Sequence, residues 1–166
     1  MNNKGRKTAA TLITMMLMTA GGIASAAGDS SFAAHYTTAS LSAQEQTAGN
    51  LLNSDRAAYG LPALTLDPEL CRIARIKSED MRDNQYFAHT SPTYGNVRDM
   101  LDHFSYRYSA AGENIAHHAT VAKSQAALLS SPGHRRNILS SAYTKVGIGV
   151  ALDRNGYVYL TQIFCR

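Results

Sequence analysis

Residues 146–165 read VGIGVALDRNGYVYLTQIFC. Val146, Ile148, Val150 and Leu152 recur at every second position, the pattern of a strand with one buried face. Gly147 and Gly149 fall on the opposite face, where only a small group fits or another backbone approaches closely. Asn155-Gly156 is the favoured pair for a tight type I′ reversal. Tyr157, Tyr159, Thr161, Ile163 and Cys165 then share one face of the returning strand. An antiparallel hairpin is predicted here, and the rest of the chain must cover its two faces.

Working back from the hairpin, Ser131-Pro132-Gly133 reads as a break, ahead of His134-Arg135-Arg136-Asn137-Ile138-Leu139. The Ala- and Leu-rich run 121–130 is helical, and Ala111–Ala116 reads as a short strand. Val97, Met100, Leu101 and Phe104 mark a short helix, preceded by a loop through Tyr86–Pro92. Asp67-Pro68 opens a longer helix, Asp as N-cap and Pro in the first turn. Leu70, Ile73, Ala74 and Met81 form its buried stripe, with Cys71 beside it. Ser42 and Glu45 make a capping box for another helix, carried by Ala48, Leu51, Leu52, Asp55 and Tyr59 and stopped by Gly60 and Pro62. Helices before and between antiparallel strands predict an α+β layered domain over residues 42–166.

Residues 1–26 read as a secretory signal peptide. Lys4, Arg6 and Lys7 form a positive start, Ala9–Ile23 an apolar run, and Ala24-Ser25-Ala26 a small-x-small cleavage site. Residues 27–41, rich in Ser, Thr and Ala, read as a flexible leader. The expected location is therefore secreted, that is extracellular, periplasmic or attached to the cell envelope, with no stable membrane insertion after cleavage. The chain carries 16 Lys and Arg against 12 Asp and Glu. Without the three basic residues of the signal, 13 face 12, too little excess charge for nucleic acid as a partner. An oxidising compartment makes a Cys71–Cys165 disulfide an expectation, worth about 4–5 kcal/mol for so long a loop. Two buried free thiols are the alternative.

Three polar residues stand out as a candidate site: His89, Glu113 and His134, each expected in a loop or at an element end. Two imidazoles and a carboxylate can hold Zn²⁺ and leave a fourth position open. Their spacing does not by itself bring them together, and structural hydrogen bonds to loop backbone are the other reading. His117-His118 reads as a pair in a solvated loop. Ser130 and Ser131 lie near His134 but lack the G-x-S-x-G setting of a serine hydrolase. Tyr106, Tyr108, Tyr157 and Tyr159 suggest either an aromatic binding face or ordinary sheet packing.

Four segments in order resemble the CAP superfamily (SCP-like: cysteine-rich secretory, antigen 5 and pathogenesis-related proteins), in its bacterial extracellular branch. They are residues 51–64 (LLNSDRAAYGLPAL), Phe87–Pro92 with Arg98, Gly112-Glu113-Asn114-Ile115-Ala116, and residues 131–139 (SPGHRRNIL) followed by 146–150 and 161–164. The resemblance covers about residues 45–166 and implies an α-β-α sandwich with a central antiparallel sheet. It also implies a cleft lined by His89, Glu113 and His134, where some members bind Zn²⁺ or another divalent ion. No second acid lies between Ala119 and Ser131, and Leu128 stands where bacterial relatives often carry Trp. The expected function is a secreted, monomeric, non-catalytic ligand-binding or effector module. Its ligand would be a small molecule, a lipid or a cell-envelope component, and its cleft would bind a divalent metal weakly. The alternative is a zinc-dependent hydrolase, such as a protease, in the same cleft. Glu113 would there be ligand or base, not both.

Overall fold

The computed structural model describes residues 40–166. The expected signal peptide and all of the expected leader except Ser40 and Leu41 lie outside the described residues. Nine elements follow: α1 (Ala43–Ala58), β1 (Thr65–Leu66), α2 (Pro68–Asp83), α3 (Val97–His103), β2 (Ala111–His118), α4 (Val121–Ser130), α5 (Pro132–Ile138), β3 (Lys145–Leu152) and β4 (Val158–Cys165). The sheet order is β1-β3-β4-β2. β4 pairs antiparallel with β2 and with β3, and the two-residue β1 adds a parallel edge to β3. The antiparallel core is as expected; β1 is too short to leave a periodic signal in the sequence.

One face of the sheet buries Val146, Ile148, Leu160 and Phe164 with Ala48 and Leu52 of α1 and Leu128 of α4. The other buries Ile163 and Cys165 with Leu70, Ile73 and Ala74 of α2 and Met100 and Leu101 of α3. The glycines of β3 explain how closely α2 lies. A Cβ on Gly147 would stand 2.2 Å from the carbonyl oxygen of Leu70, and one on Gly149 would stand 2.1 Å from the carbonyl carbon of Ala74. Real Cβ atoms do not make such contacts, so any larger residue lifts the helix.

Beyond β1, the outer edge of β3 has no strand partner. The Ile148 N–H donates to Cys71 Sγ at 3.3 Å and the Val150 N–H to Glu45 Oε1 at 3.4 Å. Glu45 is wholly buried, closes the capping box of α1, and takes a bidentate pair from Arg75 of α2 at 2.7 Å each. A sheet edge is thus covered by side chains rather than left open.

Three expectations are corrected. Cys71 and Cys165 are free buried thiols and form no disulfide; they pack in the clusters on opposite faces. Ser131-Pro132-Gly133 does not simply break the chain. Pro132 is the first residue of α5, where its missing N–H costs nothing, so His134 sits within a helix. The β3–β4 turn is not type I′, because Asn155 is not at positive φ. Gly156 (φ 78) donates to the Asp153 carbonyl at 3.0 Å, and Asp153 Oδ1 takes the N–H groups of Asn155 and Tyr157, a three-residue turn with an αL glycine.

Candidate functional site

Glu113 is in β2, an outer strand, so groups from the layers on both faces can reach it round the edge. Its side chain is 4% exposed. Oε1 lies 2.7 Å from His89 Nδ1, while Oε2 is buried with no hydrogen-bond partner among the described residues. A carboxylate only accepts, so Nδ1 carries the proton and the other ring nitrogen of His89 faces no carboxylate. The His89 ring is 56% exposed, and its centroid lies 6.4 Å from that of His134. The three residues singled out in the sequence are therefore brought to one place, although Glu113 is inside a strand and His134 inside a helix.

Each is held by a specific device. His89 follows α2 in a loop organised by Asp80, which takes hydrogen bonds from Asn84 Nδ2 (2.8 Å), Ser91 Oγ (2.6 Å), Thr93 Oγ1 (2.9 Å) and the Tyr86 hydroxyl. Lys77, only 1% exposed, donates to the His89 carbonyl at 3.0 Å and to the Tyr86 hydroxyl at 3.2 Å. His134 Nδ1 shares a hydrogen bond of 2.9 Å with Ser131 Oγ, which is why Ser131 leaves the N-terminus of α5 without a side-chain cap. Asn114 Nδ2 donates to the His134 carbonyl at 3.1 Å, and Asn137 Nδ2 donates to the Glu113 carbonyl at 3.1 Å and to Asn114 Oδ1 at 2.9 Å. Gly112 completes the segment: a Cβ there would be 2.5 Å from the Tyr143 hydroxyl.

The two imidazoles are driven apart in basicity. The hydrogen bond that His89 donates to Glu113 raises His89 above the ordinary histidine value, outweighing burial and the repulsion of Lys77. Burial, and then the charge of His89, lowers His134. Burial also lowers Lys77, against the pull of Glu113 and Asp80. The carboxylate thus favours the protonated form of His89, and burial favours the neutral form of His134.

Lys77 and Asp80 were missed in the sequence. Their signal was a gap: the α2 stripe 70, 73, 74, 77, 78, 81 is apolar except at Lys77 and Ser78, and both are buried. His117 and His118 were expected in a loop and belong to β2. No group of three or more His, Cys, Asp or Glu side chains among the described residues is arranged to hold a metal ion. An ion at this site would have only the outward ring nitrogens of His89 and His134 as imidazole ligands, with Glu113 behind His89.

Several known proteins are similar to this chain. The uncharacterized protein YkwD of Bacillus subtilis is 44% identical over 111 residues, 66% of this chain and 43% of that protein. The uncharacterized membrane protein YlbC of the same species is 38% identical over 118 residues, 70% of this chain and 33% of that one. The crystal structure of an extracellular SCP-domain protein from Bacillus anthracis superposes with a TM-score of 0.69 at 36% identity, covering 74% of this chain and 40% of that one. The chain spans less than half the length of each of these relatives. With residues 50–164 matching the family model described as the cysteine-rich secretory protein family (CAP), and with this fold, the chain belongs to the bacterial CAP superfamily.

Proposed function

We infer that this chain is an extracellular, non-catalytic binding module whose site is the edge of β2 at His89, Glu113 and His134. The pairing of a buried Glu113 with a half-exposed His89 carries the reading. A general base must face its substrate, whereas Glu113 is turned inward and spends Oε1 on His89. It favours the protonated form of His89 and orients the ring as a donor to an oxygen of a bound molecule. The carboxylate balances that charge, so a carbonyl, carboxylate or phosphate oxygen of an envelope component suits the site. The extracellular location is supported by the Bacillus anthracis relative; among the described residues no helix is long and apolar enough to cross a membrane.

The unpartnered Oε2 of Glu113 is the one observation that favours a zinc-dependent hydrolase instead. NMR of the imidazole ring protons during separate titrations with inorganic phosphate, acetate and Zn²⁺ distinguishes the readings. Binding without turnover is supported if phosphate or acetate shifts His89, the shift disappears in His89→Ala, and peptides stay intact with Zn²⁺ present. Zinc-dependent peptide cleavage lost in Glu113→Gln would establish the hydrolase. No shift of either ring with any of the three would remove the site.

A further inference from the structure

Four large apolar side chains are strongly exposed among the described residues: Tyr59, Phe87, Leu152 and Tyr157. Phe87 and Tyr157 gather at the end of β2 with His117 and Tyr159, while Leu152, in register with Val158, starts the β3–β4 turn from the other face. The rings there are braced. His117 lies flat on Tyr159, with centroids 4.0 Å apart and planes 15° apart, and its Nε2 is 3.4 Å from Asp153 Oδ2 without hydrogen-bond geometry. Tyr157 meets His117 edge-on at 5.9 Å, and Phe87 leans on both His117 (6.2 Å) and Tyr159 (6.4 Å). Exposed apolar side chains gathered in one place mark a contact surface.

Tyr159 and Leu152 also wall a groove of about 590 Å³, whose rim includes Gln85, Arg154 and Asn155. The side chains of these three make no hydrogen bond to another described group. Gln85 has φ 54, a left-handed conformation that favours Gly or Asn at a helix end and costs other residues about 1–3 kcal/mol. A residue with a long polar side chain is nonetheless kept there, on the groove. The charges are balanced: Arg82 and Arg154 line it with Asp83 and Asp153, and Arg82 is paired to Asp83 at 2.6 Å.

We propose that this groove and its aromatic wall bind a neutral saccharide. A pyranose presents C–H groups on its faces and hydroxyls around its rim. The faces match half-exposed rings, and the rim matches planar amides that donate and accept and a guanidinium that donates. An alkyl chain would leave those polar groups unused, and a polyanion would need the excess positive charge that the groove lacks. His117 lies four positions along β2 from Glu113 on the same face, about 13 Å away. The site is therefore distinct from the His89 cleft and stands whether or not the cleft binds anything.

The test uses the full secreted protein with tetramers of N-acetylglucosamine, glucose and mannose, followed by saturation-transfer NMR and calorimetry. At least one tetramer binds; Phe87→Ala and Tyr157→Ala each weaken it about tenfold or more, and Tyr157→Phe and His134→Ala change it less than about twofold. A tetramer bound equally by wild type and both alanine variants overturns the proposal. So does a lack of binding to all three sugars, or attachment to phosphatidylglycerol vesicles lost in the same two variants.

Discussion

Replacing Asp80 by Ala should loosen the loop that carries His89. The carboxylate is 8% exposed and takes four hydrogen bonds, from Asn84, Ser91, Thr93 and Tyr86. Asn84 and Thr93 are exposed and recover water, so their loss costs little. Ser91 is 3% exposed and Tyr86 is partly buried; a buried group left unpaired costs about 1–3 kcal/mol. Two such groups give about 2–6 kcal/mol, near the lower end if the loop opens to admit water. For a domain of this size that lowers Tm by roughly 8–24 °C. Lys77 loses a facing negative charge in the same step. Thermal unfolding by circular dichroism reads the stability, and NMR titration of the His89 ring reads the loop. A Tm within about 2 °C of wild type, with His89 titrating unchanged, would refute the assignment of Asp80 as the anchor of this loop.

Gly149→Ala forces a methyl into the backbone of α2 and should cost about 3 kcal/mol in urea denaturation. Gly133→Ala, with nothing within 4 Å in α5, should instead gain up to about 1 kcal/mol; equal effects would disprove the close approach of α2 to β3. Burial pushes Cys71 up to about 11 and Cys165 up to about 12. A thiol reagent at mildly alkaline pH should therefore find no reactive thiol in the folded protein and two after denaturation without reductant. No thiols in either state would mean that the disulfide forms after all.

The sheet was legible because Val146, Ile148, Val150 and Leu152 keep a strict two-residue period, and because Gly147 and Gly149 announced a close neighbour. The helices were legible from caps: Ser42 with Glu45, and Asp67 with Pro68. Pro132 misled because proline at a first turn and proline as a breaker look alike without the third dimension. The disulfide was inferred from compartment alone, and nothing in the sequence placed the two sulfurs on different faces. For the site, His89, Glu113 and His134 stood out as polar residues and the family resemblance put them in one cleft, but neither said that Glu113 would be spent on His89. Lys77 and Asp80 escaped because a buried charge reads as a solvated one until the stripe around it is counted.

The central claim is that Glu113 raises His89 while burial lowers His134 beside it. A histidine raised in the fold contributes stability that is whole below its unfolded value of about 6.5 and is lost as pH rises through the folded value. A lowered one contributes above that value and loses its contribution as pH falls through its folded value. Ring-proton NMR between pH 4 and 9 measures both directly (~4 to ~9, bracketing the histidine range). The account predicts that His89 titrates above His134, and that Glu113→Gln brings His89 down. His89 titrating at or below His134 in the wild type would contradict it.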